Sequence, residues 1–221
     1  MATQLNLEEQ EQLDQIKHFW NKYGNLITWV AILGFGALAA WNGWQWWQRD
    51  QAVKASAMFE ELDRAATAGD AERVARVFGD LKERYPGTVF AEQGGLLAAR
   101  TQADKGDLDA AAGVLDWVAQ NAKQDAYRTM ARLRLAGVLL EQKKYDEALR
   151  QLDGADVGEF AALVADRRGD VLLAQDKKDE ARAAYQKAWE TMSPDVQYRR
   201  LIEAKLTALG APPAPAKTEQ G

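Results

Sequence analysis

The chain contains no cysteine, and its only histidine is His18. Without thiols, the protein can form neither a disulfide nor a thiolate metal site. The lack of disulfides does not identify the compartment, because oxidising spaces permit disulfides without requiring them. A single histidine close to a long apolar run is more typical of a membrane-interface side chain than of a catalytic base or a metal ligand.

The motifs of nucleotide-binding and hydrolytic enzymes are also missing. The sequence has no Gly-x-Gly-x-x-Gly, no phosphate-binding Gly-Lys-Ser/Thr loop and no second histidine for a Ser/His or Cys/His pair. Carboxylate pairs such as Glu60 with Glu61 occur in helical segments, where solvated charge is the usual arrangement. The net charge of −5 and the pI near 5.1 do not indicate a basic surface for nucleic acid. We therefore expect no enzymatic activity, no cofactor or metal, and no nucleic-acid partner.

One long apolar run is present, from Leu26 to Trp47, and it carries no charge. As a helix, its roughly 22 residues would span about 33 Å, enough for a bilayer core of about 30 Å. Aromatic rings favour the headgroup layer, and they cluster at both ends of the run as Trp20, Tyr23, Trp29, Trp41, Trp44, Trp46 and Trp47. The run predicts a single transmembrane helix at residues 24–48, in contact with membrane lipid, after a polar tail at residues 1–23.

A cleaved signal peptide is the competing interpretation of this run. Ala37-Leu38-Ala39 fits the small-residue cleavage pattern, but the preceding segment is long and acidic, which favours a retained anchor. Within the polar tail, apolar residues recur at roughly helical spacing, so the tail is either a short amphipathic helix or a partly ordered segment.

The flanks of the run do not decide its orientation. Lys17 and Lys22 precede it and Arg49 and Lys54 follow it, a tie under the positive-inside rule. Small residues in the run form two small-xxx-small pairs, which would let another transmembrane helix approach closely. These packing candidates are Gly36, Ala39, Ala40 and Gly43.

From Asp50 onward, the apolar residues recur at helical spacing and no strand pattern is evident. The breaks between helices repeat: residues 69, 106, 143 and 176 begin similar segments, at offsets of 37, 37 and 33 residues. A period near 34 with two helices per unit is typical of tetratricopeptide repeats. The sequence therefore predicts an all-α protein, with a tetratricopeptide-like solenoid of about four helix pairs at residues 49–209.

Each predicted repeat can be tested at five packing positions, where small residues let two helices cross closely and large residues fill the gap. The last two repeats fit this pattern better than the first two. In chain order, the predicted packing residues are Leu62, Ala65, Val74, Phe78 and Leu81; Ala99, Gln102, Ala111, Leu115 and Val118; Ala136, Leu139, Ala148, Leu152 and Ala155; and Gly169, Leu172, Ala181, Tyr185 and Ala188.

A further helix should close the solenoid at its carboxyl-terminal end. Ser193 is a candidate cap, Pro194 a candidate first residue, and the helix should end near Leu209. Such a helix would hide the last apolar face of the stack. The proline-rich segment at residues 210–221 is predicted to be disordered.

The first helix of each repeat should line an inner groove that binds a partner. In the middle repeat this groove would present an apolar strip, between an arginine on one side and two aspartates on the other, which would suit an amphipathic or unfolded apolar segment. The alternative is that a neighbouring helix covers part of the strip, which would then be core. The groove candidates are Gln93, Leu96, Arg100, Met130, Leu133, Gly137, Leu140, Leu163, Asp166, Asp170 and Leu173.

Several segments of the predicted repeats carry a family resemblance: residues 106–111, 132–136, 144–149, 168–172 and 181–185. With these segments behind a short tail and one anchor, the chain resembles the YfgM-like family, bacterial ancillary subunits of the SecYEG translocon. The resemblance implies a single-pass inner-membrane protein with a cytoplasmic amino terminus and a periplasmic repeat domain. It also implies association with the translocon and with the membrane-anchored, prolyl-isomerase-like chaperone PpiD. The family supplies no catalytic motif.

Our first hypothesis is therefore a non-enzymatic, membrane-anchored adaptor that links emerging secreted or outer-membrane chains to periplasmic chaperones. The alternative is an envelope scaffold that holds a fixed partner complex unrelated to secretion. An adaptor should bind several unrelated unfolded segments weakly, whereas a scaffold should bind one folded partner tightly. A third hypothesis, an enzyme, would require a site that the sequence does not contain.

Overall fold

The structure is a computed structural model that describes residues 7–155 and 158–213. Within these residues it consists of α-helices and one short 3₁₀ turn at Gly158–Phe160, with no strand. The predicted all-α class is confirmed. The helices are α1 (Leu7–Thr67), α2 (Ala71–Arg84), α3 (Val89–Asp104), α4 (Leu108–Asn121), α5 (Asp125–Glu141), α6 (Tyr145–Asp153), α7 (Ala161–Ala174), α8 (Lys178–Thr191) and α9 (Arg199–Ala208).

The chain divides into two units, residues 1–51 and residues 52–221. In the first unit, the described residues form the amino-terminal part of α1, which contains the predicted transmembrane segment. This helix is long and apolar enough to cross a membrane, and only 6% of its most apolar window is buried within the protein. Leu33 and Phe35 are 69% and 73% exposed. Apolar surface left open to this extent is stable in lipid but costly in water.

The polar tail is helical from Leu7 onward, but as the first part of the continuous α1 and not as a short helix of its own. Residues 1–6 lie outside the described part of the chain. Further along α1, a Cβ atom added to Gly36 or Gly43 would meet no other side chain within 4 Å. The predicted small-residue pairs are therefore open to the surroundings of the helix.

The second unit consists of helix pairs and a closing helix. The end of α1 pairs with α2, and three further pairs follow as α3 with α4, α5 with α6, and α7 with α8. All twenty predicted packing residues are buried, including those of the two repeats that fit the pattern less well. At Gly169 the packing leaves no room for a side chain, because an added Cβ would overlap the ring of Tyr185. The tetratricopeptide register is confirmed.

The turn inside each repeat uses one residue with a positive φ angle. These residues are Gly69, Gly106, Lys143 and Asp176, with φ angles of 68°, 83°, 62° and 61°. They are the same four positions at which the sequence predicted repeating breaks. In the first two repeats the next residue is an aspartate whose carboxylate caps the following helix. The carboxylate of Asp70, for example, accepts a hydrogen bond from the backbone N–H of Arg73 at 3.0 Å. The left-handed residue ends one helix and the residue after it begins the next.

Successive repeats are joined by a recurring glutamine contact. Near the end of the first helix of a repeat, a glutamine amide donates to the start of the second helix of the previous repeat. Gln102 donates to the carbonyl of Ala71 at 2.9 Å, and Gln142 donates to the carboxylate of Asp109 at 2.9 Å. Gln175 makes the equivalent contact with Asp146 at 3.3 Å. These bonds help to fix the spacing from one repeat to the next.

The closing helix is shorter than predicted. It begins at Arg199, and residues 193–198 form turns, so the predicted start at Pro194 is wrong. Tertiary contacts explain the difference: Tyr198 donates to the buried Asp166 at 2.8 Å, and Arg199 lies 3.9 Å from the ring centre of Trp189. These contacts hold the connecting segment against α7 and α8 in place of a first helical turn.

The predicted capping role of this helix is confirmed. Ile202 and Leu206 are fully buried against the apolar cluster of α7 and α8. The helix therefore covers the last apolar face of the stack. Residues 214–221 of the predicted disordered tail lie outside the described residues.

Candidate partner-binding surface

The predicted groove residues lie on α3, α5 and α7, the first helices of three successive repeats. We call the face formed by these residues the first-helix surface. Two contacts show that their side chains meet across helix boundaries. Gln93 on α3 donates to the hydroxyl of Tyr127 on α5 at 2.8 Å. A Cβ on Gly137 of α5 would lie 3.6 Å from the guanidinium carbon of Arg167 on α7.

Leu96, the groove candidate on α3, is only 6% exposed and belongs to the core. The apolar strip was predicted on the middle repeat. Met130, Leu133 and Leu140 are half-buried on α5 and pack against the same core cluster. These three side chains therefore rest on a rigid support and still present apolar atoms to a partner.

Leu163 and Leu173 mark the α7 end of the first-helix surface. Leu163 is half-buried and packs against the apolar cluster of α7 and α8, whereas Leu173 is 38% exposed.

The two predicted groove aspartates bind other side chains of the protein, and Asp166 is buried whereas Asp170 is half-buried. Asp166 is 1% exposed and accepts hydrogen bonds from Tyr198 at 2.8 Å and from the ammonium of Lys205 at 2.8 and 2.9 Å. Asp170 accepts from Tyr185 at 2.9 Å and from Lys205 at 2.6 Å. Because buried carboxylates require charged or hydrogen-bonding partners, this network fixes the cap α9 to α7.

The tyrosines of this network remain hydrogen-bond donors. Burial raises the pKa of Tyr185, and the neighbouring Asp170 raises it further. Burial also raises the pKa of Tyr198, as does its hydrogen bond to Asp166. Both hydroxyls therefore stay protonated well beyond neutral pH, which is the form in which each can donate to a carboxylate.

Arginines stand on all three helices of the surface. Arg100 on α3 is exposed and lies 3.7 Å from Asp104 on the same helix. Burial and the nearby positive charge of Arg100 lower the pKa of Arg134 on α5. Within the described part of the chain, no carboxylate lies within 4 Å of Arg134. On α7, Arg167 lies 3.5 Å from Asp170, and its Nε has no hydrogen-bond partner among the described residues.

Arg100 was among the predicted groove residues, whereas Arg134 and Arg167 were not. Residues 134 and 167 are separated by 33 positions, the offset between the third and fourth repeats, so this pair could have been recognised from the spacing. Tyr198 and Lys205 could not be predicted, because they lie outside the repeats and become neighbours of α7 only through the tertiary fold.

No group of three or more His, Cys, Asp or Glu side chains that could hold a metal ion occurs among the described residues. The first-helix surface presents apolar side chains, amide and hydroxyl groups that can form hydrogen bonds, and guanidinium groups, a type of group that can bind carboxylates.

Comparison with known proteins agrees with this architecture. Residues 17–211 match the family model described as a tetratricopeptide repeat-like domain. The chain is 35% identical over 205 residues to the ancillary SecYEG translocon subunit of Neisseria gonorrhoeae, covering 92% of this chain and 98% of that protein. It is 31% identical over 180 residues to the protein of the same name in Escherichia coli, covering 80% and 85% of the two chains. The Haemophilus influenzae protein of that name is 26% identical over 190 residues, covering 85% and 92%. The chain thus belongs to the family of ancillary SecYEG translocon subunits.

Proposed function

We propose that this protein is a non-enzymatic accessory subunit of the SecYEG translocon, anchored in the bacterial inner membrane by the apolar part of α1. The observation that carries the proposal is the 35% identity to a relative of that name over 98% of the relative's length. A match of this extent includes both the anchor and the repeat domain. It is therefore stronger support than a shared repeat motif, which occurs in proteins of many functions.

We place the amino terminus in the cytoplasm and the repeat domain in the periplasm. The domain after the anchor is long, and long domains cross the membrane largely regardless of their flanking charge. Exported chains leave the translocon on the periplasmic side, so a subunit that receives them would carry its binding surface there. A retained anchor, rather than a cleaved signal, is part of this proposal.

The role of the domain is to link emerging secreted or outer-membrane chains to periplasmic chaperones, including the membrane-anchored PpiD. The half-buried Met130, Leu133 and Leu140 support this role, since they can cover apolar side chains of an unfolded segment. Anchoring near the channel exit raises the effective concentration of this surface, so weak contacts suffice.

The anchor itself would pack against a transmembrane helix of the channel. The small residues Gly36, Ala39, Ala40 and Gly43 would allow close approach of another helix. Positions 36 and 43 are open in the structure, which supports their use by a partner.

Site-specific photocrosslinking in cells tests the proposal. A crosslinking residue at Ala40 should capture translocon subunits, and one at Leu133 should capture a periplasmic chaperone or exported chains. Leu201, which is 46% exposed on α9 outside the first-helix surface, is the control position. Capture of one envelope complex unrelated to secretion at both sites would instead favour the scaffold hypothesis. Capture of cytoplasmic proteins at Leu133 would contradict the proposed orientation.

A further inference from the structure

We propose that Arg134, with Arg100 and Arg167 on either side, forms a carboxylate-binding row on the first-helix surface. Its occupant is a polypeptide segment in which acidic side chains alternate with apolar ones. This inference rests on the proposed function, because it specifies the kind of segment that docks on the surface where partners are expected. It extends that function from apolar contact alone to a defined charge preference.

The three arginines stand on the first helices of three successive repeats. Arg134 and Arg167 occupy equivalent positions, 33 residues apart along the chain. Arg134 and Arg100 are near enough for the charge of one to affect the other. Arg167 lies beside Gly137, on the same helix as Arg134: a Cβ atom at Gly137 would lie 3.6 Å from the guanidinium carbon of Arg167. The row therefore crosses three repeats.

Charge is not balanced within the row of arginines. Arg100 has Asp104 at 3.7 Å, and Arg167 has Asp170 at 3.5 Å. Asp170 is shared with Lys205, which lies closer, at 2.6 Å. Arg134, in the middle, has no carboxylate within 4 Å among the residues that the structure describes. Two neighbouring guanidinium groups without an intervening acid repel one another, and an incoming carboxylate would relieve that repulsion.

Apolar surface lies beside Arg134. Met130, Leu133 and Leu140 lie on the same helix and are half-buried. Docking of apolar side chains there would exclude water from Arg134, and a charge-assisted hydrogen bond is stronger where water is excluded. An apolar segment with carboxylates beside its apolar residues matches both features. A nucleic acid does not, because the protein as a whole is acidic and would repel an extended polyanion.

Peptide binding to the full-length protein in neutral nanodiscs tests the inference. The probe is a synthetic peptide that alternates leucine with glutamate, compared by fluorescence anisotropy with a peptide in which every glutamate is glutamine. We expect the acidic peptide to bind more tightly. The substitution Arg134→Gln should weaken its binding by about tenfold or more, since a hydrogen bond to a charged group is lost. Binding of the glutamine peptide should change little.

Two further variants separate the row from other effects. Arg150→Gln removes the same charge from an exposed position on α6 and should leave the affinity unchanged. Arg134→Lys keeps the charge without the forked geometry and should restore part of the affinity. Equal binding of the two peptides to the unmodified protein, or equal losses in Arg134→Gln and Arg150→Gln, would overturn the inference. The inference would also be overturned if Arg134→Gln lost binding to phosphatidylglycerol vesicles and kept its binding to the acidic peptide. The row would then recognise lipid.

The failure of this inference can be told apart from failure of the proposed function. If Ala40 still captures translocon subunits while the peptides bind equally, only the carboxylate-binding row is rejected. If Ala40 captures no translocon subunit, the proposed function is rejected whatever the peptides show.

Discussion

The turn inside each repeat needs one residue with a positive φ angle, and two of the four residues in this position are not glycine. Lys143 and Asp176 adopt φ angles of 62° and 61°, whereas Gly69 and Gly106 fill the same position earlier in the chain. A left-handed backbone costs a residue with a side chain about 1–2 kcal/mol. The third and fourth repeats therefore carry local strain that the first two avoid.

Replacing Lys143 with glycine should stabilise the protein. The strain that is removed exceeds the extra chain entropy of glycine, about 0.5–1 kcal/mol, so a net gain of about 0.5–1 kcal/mol is expected. Urea unfolding of the full-length protein in detergent measures it. The matched control is Glu141→Gly, inside the last turn of α5, which should destabilise by about 1 kcal/mol. A loss of stability in Lys143→Gly would show that the lysine side chain contributes more than the strain.

The buried tyrosines predict a loss of stability at alkaline pH. The pKa values of Tyr185 and Tyr198 are raised in the folded protein, mainly by burial. The unfolded chain, with tyrosine pKa values of about 10, therefore loses these protons first. The stability that the two protonated tyrosine hydroxyls contribute to the folded protein is complete below a pH of about 10 and is lost as the pH rises further.

Unfolding free energies measured across this alkaline range should fall more steeply in the unmodified protein than in the double variant Tyr185→Phe and Tyr198→Phe. Tyr145→Phe on α6 serves as the matched control. Identical slopes in the unmodified protein and the double variant would contradict this explanation.

At the scale of elements, α9 shows how tertiary contacts override local signals. Ser193 and Pro194 fit the start of a helix, and yet the helix begins at Arg199. The position of Tyr198 is set by its hydrogen bond to Asp166, a residue 32 positions earlier in the chain. A hydrogen bond between residues so far apart in the chain cannot be predicted from the residues around Pro194.

The cap should be essential to the last repeat. Ile202 is fully buried in the cluster of α7 and α8, so Ile202→Ala should cost about 2–5 kcal/mol. Hydrogen exchange of the full-length protein should show faster exchange in α7 and α8. Leu201→Ala, at a neighbouring position that is 46% exposed, should change stability by less than about 0.5 kcal/mol. Similar effects of the two substitutions would mean that α9 does not cover the stack as described.

For the whole molecule, the absence of cysteine makes the proposed orientation directly measurable. Single cysteines at Gln12 and Ser193 occupy exposed positions on the two sides of the anchor. In cells with a permeable outer membrane, an impermeant maleimide should label Ser193→Cys and not Gln12→Cys. Lysis of the cells should make both positions reactive. The reverse pattern in intact cells would place the repeat domain in the cytoplasm.

The sequence was sufficient to predict the all-α class, the apolar helix and the packing register. These features depend on local periodicity and on the repeat itself, so the turn at Gly106 and the core position of Leu152 could both be recognised. Contacts between distant segments could not be predicted in this way. The pairing of Asp166 with Lys205 depends on the cap folding back onto α7, and the burial of Leu96 depends on the helices packed around it.

The measurement that most directly tests the central claim is quantitative co-purification of the full-length protein with a tagged translocon. The proposed function predicts that the protein is recovered with the channel subunits. Gly36→Leu together with Gly43→Leu should reduce this recovery, because both substitutions block close helix approach. Gly34→Leu, on the opposite face of the helix, should not. Absence of the unmodified protein from the purified translocon, with the channel subunits intact, would contradict the account.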